Sequence, residues 1–451
     1  MTDQHKLFGA YDIRGIYGAA LDEPFAKNVG YAYGHYLRPQ GGGRVLIGYD
    51  ARISSPALKS AFIEGVLNSG NDVLDIGISS TPMAVWYAAQ AGFDGGAVVT
   101  ASHMGKQYNG LKLYAGNAKP LGANNGLGEI RTKVEGGTCS GKAAKCGTLS
   151  TTDIIPEYVS FLLRHVRPER RLKVAMDAGH GAAGPELVVL QKAAKHLVDF
   201  ILLNTEPDGN FPKRTPNPLD EGSLTELSEL VLREKCDFGV SFDGDADRAI
   251  FVDEHGELID TGLMIGLIGG ELVRRNGGGK VVYDLRASRA VPEYIVSQGG
   301  TAIRTGVGTQ FMMGSMKEQR ALFAGELSGH YYYADMYATD NAVRTMLEAI
   351  NVVARGTATL SRLIEPLALY SSSGEINLRV TDIQDTLGRL ESGIAGGTKE
   401  HIDGLSVNFD DWWFSARGSQ TEPVLRLTIG AVSNDILNER KAQLFEIIEA
   451  K

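Results

Sequence analysis

Apolar strand-like segments alternate with helix-like segments through the first third of the chain, and this order restricts the fold most. RVLIGYD (44–50), DVLDIG (72–77) and GGAVVTASH (95–103) are apolar and contain β-branched residues, which is typical of buried strands. One helix is predicted to begin at SSP (54–56), where a serine caps the helix and a proline occupies the first turn. A second helix is predicted from about 81 to 91. Strands joined through helices form a mostly parallel sheet with helices on its faces.

The same strand–loop–helix order returns twice, and then the pattern changes. It returns from LKVAMDAG (172–179) to FGVSFDGDADR (238–248), and again from VVYDLR (281–286) to ALFAGELSGH (321–330). After Pro366 the pattern indicates successive strands and a terminal helix. These C-terminal strands are predicted at 375–380, 405–410, 412–417 and 424–430, and the helix spans roughly 433–449.

The predicted fold class is α/β: three tandem α/β domains with mixed, mostly parallel sheets, plus a C-terminal α+β domain. Several domains are expected because 451 residues exceed what one core usually holds. The segment 135–153 lacks periodicity and is rich in Gly, Ser, Thr and Lys, so we expect a surface loop near a domain boundary. The predicted domain ranges are 1–150, 151–255, 256–367 and 368–451.

The charge balance restricts the class of partner. The chain has 45 Lys and Arg against 54 Asp and Glu, which argues against nucleic acid or an anionic membrane as partner but permits a small anionic substrate. The three cysteines match no metal-ligand spacing, and their odd number suits a reducing compartment. No apolar run has the length of a membrane span, and the first residues lack a signal-peptide layout. We therefore expect a cytoplasmic protein, either a monomer or a homodimer.

A serine loop, TASHMGKQYNG (100–110), follows a predicted buried strand. In open α/β sheets, ligands bind beyond the carboxyl ends of the strands, so we expect Ser102 to be exposed to substrate. Lys112 adds a nearby cation. Such a serine is either a nucleophile that carries phosphate or an ordinary capping or turn residue.

A triple-aspartate loop, DGDADR (243–248), follows the predicted strand FGVSF. Three carboxylates this close repel each other unless a cation intervenes, and oxygen ligands suit Mg²⁺. The loop resembles a Ca²⁺-binding EF-hand loop, but Arg248 occupies the position that requires glycine, and the flanks are predicted strands. The sequence favours a Mg²⁺ site over a calcium site or a solvated acidic turn.

Glycines 179, 181 and 184 match the dinucleotide-binding fingerprint after a predicted strand. The acidic residue that should end a following strand is missing, since Asp199 precedes its apolar run. Helix–sheet packing is therefore the favoured explanation for these glycines.

Two further loops carry polar groups suited to a phosphosugar. ARGSQTEP (416–423) offers a bidentate arginine and several donors, and is otherwise a polar turn. Its candidate residues are Arg417, Ser419, Gln420 and Thr421, with Arg426 nearby. In GELSGH (325–330), Glu326 and Ser328 could bind sugar hydroxyls and His330 could transfer protons.

Together these strings make the chain similar to the α-D-phosphohexomutase family over its whole length, most closely to bacterial phosphomannomutase/phosphoglucomutase members. The matching strings are AYDIRG (10–15), TASH with NGLK (109–112), PDGNFPKRTPNP (207–218), DGDADR, GELSGH and RGSQTEP. The resemblance implies four domains around a central cleft. It implies that hexose 6-phosphate and hexose 1-phosphate, of mannose or glucose, interconvert through a phosphoserine enzyme and a bisphosphorylated sugar. It also implies one Mg²⁺ per chain and a hexose 1,6-bisphosphate activator.

The resemblance assigns roles residue by residue. The implied catalytic residues are Ser102, His103, Lys112, Arg248, His330 and Arg14. The implied substrate-binding residues are Tyr11, Arg286, Glu326, Ser328, Arg417, Ser419, Gln420, Thr421 and Arg426. The implied metal ligands are Asp243, Asp245, Asp247 and the phosphate on Ser102.

The chain departs from the family pattern at four positions. Met104 and Gly105 replace the Asn-Pro that usually follows Ser-His, and Thr309 and Met313 replace a histidine and a lysine. These changes leave two alternatives open: a phosphoglucosamine mutase, or a phosphosugar-binding homologue with impaired catalysis. The intact serine, aspartate and arginine loops favour an active enzyme.

Overall fold

The computed structural model describes residues 3–38, 43–139, 141–419 and 424–449. The chain divides into two compact units. The first contains residues 1–259 and 329–361, and the second contains residues 260–328 and 362–451. No helix among the described residues is long and apolar enough to cross a membrane.

The elements follow in chain order. Up to residue 151 they are β1 (Ile13–Ile16), α1 (Glu23–Leu37), β2 (Arg44–Tyr49), α2 (Ser55–Asn68), β3 (Asp72–Ile78), α3 (Thr81–Gln90), β4 (Gly95–Val99), β5 (Tyr108–Ala115), β6 (Lys119–Pro120), α4 (Leu127–Glu135) and β7 (Leu149–Thr151). Up to residue 252 they are α5 (Ile155–Leu162), β8 (Lys173–Asp177), α6 (Gly184–Ala194), β9 (Asp199–Leu203), α7 (Thr225–Glu234), β10 (Phe238–Phe242) and β11 (Ala249–Val252).

The remaining elements up to residue 364 are α8 (Thr261–Asn276), β12 (Gly279–Asp284), α9 (Ala290–Ser297), β13 (Gly300–Thr305), α10 (Thr309–Gln319), β14 (Phe323–Gly325), β15 (Tyr331–Tyr333), β16 (Thr339–Asp340), α11 (Ala342–Ala354) and α12 (Leu360–Ile364). Beyond them lie β17 (Ser371–Leu378), α13 (Ile383–Gly393), β18 (Thr398–Glu400), β19 (Leu405–Asn408), β20 (Trp412–Gly418), β21 (Leu425–Ala431) and α14 (Asn434–Glu449). Short 3₁₀ helices occupy Asp3–Leu7, Leu163–His165, Ala334–Met336 and Glu365–Leu367.

The first sheet has the strand order β1-β5-β4-β2-β3-β7, with β6 beside β5. Strands β2, β3, β4 and β7 are parallel, whereas β5 and β1 are antiparallel additions. The prediction of a mostly parallel sheet is therefore confirmed. The prediction of a loop over 135–153 is wrong at its end, because Thr148 bonds to the Asp72 carboxylate and leads into edge strand β7.

Helices α1 and α2 pack closely at two glycines. A β-carbon at Gly30 would lie 2.2 Å from the Phe62 carbonyl oxygen, and one at Gly65 would lie 2.0 Å from the Lys27 carbonyl oxygen. Glycine therefore lets the two backbones approach more closely than any other residue would. The predicted start of α2 is correct, but the Ser54 hydroxyl accepts from Asn109 and does not cap the helix.

The second sheet has the order β11-β10-β8-β9, in which β8, β9 and β10 are parallel. Strand β11 runs antiparallel to β10, so the segment 243–248 is the connection between them. The glycines of the dinucleotide-like string serve packing. A β-carbon at Gly184 would lie 1.8 Å from the Thr205 carbonyl oxygen, and one at Gly179 would meet the Arg214 guanidinium.

The second unit contains two kinds of sheet. Strands β13, β12 and β14 are parallel, and β17-β21-β20-β19-β18 form an antiparallel sheet with α13 and α14 beside it. The change from parallel to antiparallel pairing after Pro366 confirms the predicted C-terminal α+β domain.

Candidate active site

The serine loop lies between β4 and β5, and its serine is buried although residues further along the loop are exposed. Ser102 is only 1% exposed, so the expectation of an exposed serine is wrong. Its backbone has a φ of 51°, in the left-handed region, and its N–H donates to Thr100 Oγ1 at 2.8 Å. A non-glycine residue in this conformation is held there by its surroundings, which is a frequent feature of active sites.

A buried arginine fixes this loop through backbone atoms. Arg52 is 1% exposed, and its Nε donates to Asp50 Oδ2 at 2.9 Å. Its two terminal nitrogens donate to the carbonyl oxygens of Ser102, Met104, Gly105 and Tyr108 at 2.6–3.0 Å. Met104 and Gly105 thus contribute carbonyl oxygens, which any residue can supply. Sequence analysis missed Arg52, although an acid and an arginine two positions apart after a buried strand were a usable signal.

The three aspartates form one cluster. Their carboxylate oxygens lie within 4.8 Å of one another, and all three side chains are buried. The Ser102 hydroxyl donates to Asp243 Oδ2 at 2.9 Å. A β-carbon at Gly244 would lie 2.5 Å from the Ser102 carbonyl oxygen, so this glycine lets the serine and aspartate loops meet.

The electrostatics of this aspartate cluster suit a divalent cation. Burial, then the charges of Asp247 and Asp245, raises the pKa of Asp243 well above its usual value. Asp245 Oδ1 is buried and meets no hydrogen-bond donor within the described part of the chain. Buried, mutually repelling carboxylates with a spare oxygen are suitable ligands for Mg²⁺. The flanking elements β10 and β11 are strands, which excludes an EF-hand.

Basic side chains lie close to the aspartate cluster. Lys112 Nζ lies 2.6 Å from Asp245 Oδ2 and 2.5 Å from Asp247 Oδ2. Burial alone would lower the pKa of Lys112, but these two carboxylates outweigh it and raise that pKa well above its ordinary value. Arg248 Nε lies 3.9 Å from Asp243 Oδ2, and Arg14 pairs with Asp12 at 2.7 Å.

Two histidines complete this group. His103 Nδ1 lies 3.2 Å from Ser102 Oγ, and burial, then Arg248 and Arg14, lowers the pKa of His103 to about 2. His103 is therefore neutral at physiological pH. His330 Nε2 lies 3.3 Å from Asp247 Oδ1 and accepts from Arg248 Nε at 3.4 Å. Asp340, which sequence analysis missed, clusters with Asp247 and His330.

The second unit holds the other predicted residues. The Asp284 carboxylate accepts hydrogen bonds from the Arg286 guanidinium and from the Leu327 N–H. These bonds connect the end of β12 to the GELSGH loop. Glu326 accepts from the Gly308 N–H at 2.7 Å. Two of the positions that depart from the family pattern lie in α10. Thr309 begins this helix, and Met313 is 4% exposed and packs in the interior.

Arg417 and Arg426 lie opposite each other on the neighbouring strands β20 and β21. The Ser419 N–H donates to the Val424 carbonyl at 2.9 Å, which places 419 and 424 across the base of the C-terminal loop. Gln420 and Thr421 lie outside the described residues.

The predicted residues therefore form two groups. The first unit holds Ser102, His103, Lys112, Arg248, His330 and Arg14 around the three aspartates, with Tyr11 in the loop before β1. The second unit holds Arg286, Glu326, Ser328, Arg417, Ser419 and Arg426. The first group is a pocket that could bind a cation and a phosphorylated serine, and the second is rich in guanidinium donors for an anion.

Family models match three consecutive segments of the chain. They are described as the phosphoglucomutase/phosphomannomutase alpha/beta/alpha domains I, II and III, and they match residues 5–138, 156–256 and 263–370. The chain belongs to this family. The predicted family and fold class are confirmed, and the protein is a phosphohexomutase, an isomerase that acts as an intramolecular phosphotransferase.

Individual relatives are similar in sequence to this protein over nearly its whole length. A phosphomannomutase of Salmonella typhimurium is 34% identical over 432 residues, which cover 94% of each protein. Phosphohexose mutases of Xanthomonas campestris are 33% identical and cover 97% of each protein. A crystal structure of a phosphoglucomutase/phosphomannomutase family protein from Burkholderia thailandensis superposes with a TM-score of 0.91 at 30% identity. That likeness covers 100% of this chain and 98% of the other.

Proposed function

We propose that this phosphohexomutase interconverts the 6-phosphates and 1-phosphates of mannose and glucose, with Ser102 as the phosphoryl carrier. One observation supports the carrier role most directly. The Ser102 hydroxyl is buried and donates to a carboxylate of the triple-aspartate cluster, the group proposed to hold the metal. The phosphomannomutase name of the 34% identical Salmonella relative supports the choice of mannose.

The proposed reaction has two transfers. In the first, a hydroxyl oxygen of the substrate bonds to phosphorus as the Ser102 Oγ–P bond breaks, and the hydroxyl proton passes to a base of the site. The product is a sugar bisphosphate. In the second, Ser102 Oγ attacks the other phosphoryl group of this bisphosphate, and the departing sugar oxygen receives a proton. Ser102 is thereby phosphorylated again, and the phosphate has changed position on the sugar.

The side chains around Ser102 have suitable protonation states. Lys112 stays protonated beside Asp245 and Asp247, so it can stabilise negative charge on the transferring phosphoryl group. His103 is neutral and lies 3.2 Å from Ser102 Oγ, but its low pKa makes it a weak base, so we assign it to orienting the serine by a hydrogen bond. His330 and Arg14 are further candidates for proton transfer and for charge stabilisation. Positioned charges of this kind account for most of the rate gain in phosphoryl transfer.

One Mg²⁺ per chain would be held by Asp243, Asp245, Asp247 and the Ser102 phosphate. When bound, this ion neutralises charge on the transferring phosphoryl group. Hexose 1,6-bisphosphate would prime the enzyme by phosphorylating Ser102. An Aspergillus fumigatus N-acetylphosphoglucosamine mutase of the same fold has been crystallised with glucose 1,6-bisphosphate, although its sequence is only 14% identical.

The substrate's distant phosphate and its sugar hydroxyls need separate binding groups. We assign the phosphate to Arg417, Ser419, Gln420, Thr421 and Arg426, and the sugar hydroxyls to Glu326 and Ser328. Tyr11 and Arg286 would add substrate contacts. In this proposal the domains are residues 1–150, 151–255, 256–367 and 368–451, and each contributes one of the loops.

A Mg²⁺-dependent mutase assay tests the proposal. The substrates are mannose 1-phosphate, glucose 1-phosphate and glucosamine 1-phosphate, and hexose 1,6-bisphosphate primes the reaction. We expect turnover of mannose or glucose phosphate, its loss in Ser102→Ala, and no change in Ser160→Ala, which alters an exposed serine. Intact-mass analysis should show one added phosphoryl group that Ser102→Ala lacks. No turnover of any of the three sugars would refute the proposal.

A further inference from the structure

One carboxylate in the second unit faces three arginines. Glu375, on β17, has its Oε2 3.0 Å from Arg286 Nη1 and 3.7 Å from Arg417 Nη2. Its other oxygen, Oε1, lies 3.3 Å from Arg426 Nη1. We call these four residues the Glu375 cluster. All three arginines are residues that the proposed function assigns to substrate binding, yet Glu375 was not identified from the sequence.

The Glu375 cluster and its nearest acidic neighbours are balanced in charge. Arg286 also forms a two-pronged pair with Asp284, and Arg417 Nη1 lies 3.8 Å from Asp403 Oδ2. Three guanidinium groups thus face three carboxylates. An incoming phosphate dianion would therefore meet arginines whose charge is already compensated.

The exposed fractions of the side chains show which member of the Glu375 cluster a ligand can displace. The side chains of Arg417 and Arg286 are 5% and 9% exposed, whereas Glu375 and Arg426 are 24% and 23% exposed. Burial, then the neighbouring charge of Arg286, lowers the pKa of Arg417. Its Nε–H is buried and has no acceptor among the described residues. The two buried arginines need an anion beside them, and the most solvent-accessible of the three carboxylates is the one that contacts all three arginines.

We propose that Glu375 is an internal counter-anion that occupies the phosphate-binding arginines in the free enzyme and competes with the substrate's non-reacting phosphate for them. This inference rests on the proposed function, since it requires the arginines to hold that phosphate. Glu375 keeps the buried guanidinium groups in place without substrate. By the same contacts it lowers the affinity for phosphate, so that a sugar phosphate bound at one end can leave.

A purely structural role for Glu375 makes the opposite prediction. If the carboxylate only orients the arginines, then removing its charge disorders them and phosphate binding weakens. If it competes, the isosteric variant Glu375→Gln keeps a hydrogen-bond acceptor, removes the competing charge and binds phosphate more tightly. The sign of the change in affinity therefore decides between the two roles.

The test is a calorimetric titration with glucose 1-phosphate in the Ser102→Ala background, which prevents turnover. We expect the Kd to fall about five- to tenfold on adding Glu375→Gln, because one like charge leaves the phosphate site. The gain should shrink in 1 M salt, because salt at about that concentration screens partly exposed charges. Glu400→Gln is the matched control, since Glu400 pairs with Arg304 and with none of the three arginines. We expect that control to leave the Kd unchanged.

An unchanged or higher Kd in Glu375→Gln overturns the inference. Adding Arg417→Gln to Glu375→Gln should remove the gain, and a gain that persists would show that the ligand binds elsewhere. If Glu375→Gln lowers the melting temperature below the assay temperature, Glu375→Asp replaces it, with a gain of about twofold expected because the charge is withdrawn by one methylene.

Steady-state kinetics separate this inference from the proposed function. With Ser102 intact, Glu375→Gln should lower KM as much as Kd and leave kcat no higher than in the wild type. Turnover in the wild type without tighter binding in the variant refutes the counter-anion alone. Tighter binding in the variant without any wild-type turnover refutes the mutase reaction and leaves the counter-anion standing.

Discussion

The serine–aspartate pocket and the Glu375 cluster both handle phosphate in our proposal, but they are built in opposite ways. In the pocket, three buried carboxylates lie close together and burial, then their mutual repulsion, raises the pKa of Asp243, so a cation is the missing charge. In the Glu375 cluster together with Asp284 and Asp403, three arginines face three carboxylates, so a phosphate must displace an existing partner.

The two regions also differ in how they are held. Arg52 and Asp50 fix the Ser102 loop from a fully buried position. The loop that follows Arg417 is closed at its base by a hydrogen bond from the Ser419 N–H to the Val424 carbonyl oxygen. In our proposal the reacting oxygen is therefore held rigidly, whereas the anchor exchanges its ligands. Variants in the pocket should therefore change kcat, and variants in the anchor should change KM.

The largest effect is expected for Asp243→Asn. This change removes the carboxylate that accepts the Ser102 hydroxyl and a proposed metal ligand, so kcat should fall about 1000-fold or more. Steady-state assays over a range of Mg²⁺ concentrations measure the loss. A chelator should abolish wild-type activity, and added Mg²⁺ should restore it.

Asp153→Asn, at an exposed aspartate of the same unit, is the control and should retain wild-type kcat. A kcat within tenfold of the wild type in Asp243→Asn would mean that the pocket does not depend on a cation, and the comparison with the anchor would fail.

The next effect is expected for Arg52→Met. Removing this side chain leaves the Asp50 carboxylate buried without its cation and takes one donor from each of four carbonyl oxygens. The free energy of unfolding should fall by about 3 kcal/mol. We expect kcat to fall about 100-fold, because displacement of the serine by about 1 Å costs that much. Urea unfolding and the mutase assay measure the two quantities.

Arg52→Lys keeps the charge beside Asp50 but offers fewer donors, so it should lie between Arg52→Met and the wild type. Arg131→Met, at an exposed surface pair with Glu135, is the control. If Arg52→Met altered stability alone and left kcat intact, the loop would position itself without Arg52.

A smaller effect, on KM and not on kcat, is expected for Arg417→Gln. Loss of one charge-assisted phosphate contact should raise KM about 10- to 100-fold while kcat changes little. Kinetics with glucose 1-phosphate give both constants. Arg362→Gln, at an exposed arginine of the same unit, should match the wild type. A fall in kcat without a rise in KM would place Arg417 in the chemistry and remove the contrast between the two regions.

The smallest effect concerns stability and pH at a buried carboxyl group of the first unit outside the aspartate cluster. Burial raises the pKa of Glu186 to about 8, against an ordinary value near 4.5, and its Oε2 accepts only from Ser80 among the described residues. The folded chain therefore keeps a proton that the unfolded chain loses. Stability should fall as the pH rises from about 4.5, and the loss should level off above about 8.

Glu186→Gln should remove this pH dependence and be more stable than the wild type at pH 8, with little difference near pH 4.5. Urea unfolding at several pH values measures the difference. Glu157→Gln, at an exposed glutamate, should follow the wild-type curve. Parallel curves for Glu186→Gln and the wild type would show that Glu186 is ionised when folded.

Local sequence was enough to predict much of the fold and the loops that carry the candidate site residues. Strands β2, β3 and β4 and helices α2 and α3 lie where apolar periodicity and turn residues predicted them. Short elements such as β7 and β18 were missed, because they have little apolar content and depend on a neighbouring strand. The serine and aspartate loops were found because the functional residues follow one another within each loop.

The residues that sequence analysis missed are partners that lie far away in the chain. Arg52 lies 50 residues from the Ser102 carbonyl that it binds, and Glu375 lies 89 residues from Arg286. Asp340, at the end of β16, belongs to the same cluster as Asp247, which lies between β10 and β11. Asp340 and Glu375 look like ordinary charged residues in their local context.

The sequence by itself determined the order of strands and helices, the family, and the loops that carry serine, aspartate and arginine, because these depend on local periodicity and on residues adjacent in the chain. Only the tertiary structure decided that Ser102 is buried, that Arg52 holds its loop and that Glu375 faces three arginines. The physical reason is that burial and charge pairing depend on which distant segments meet, and in a low-dielectric interior those contacts set both the pKa values and the available hydrogen bonds.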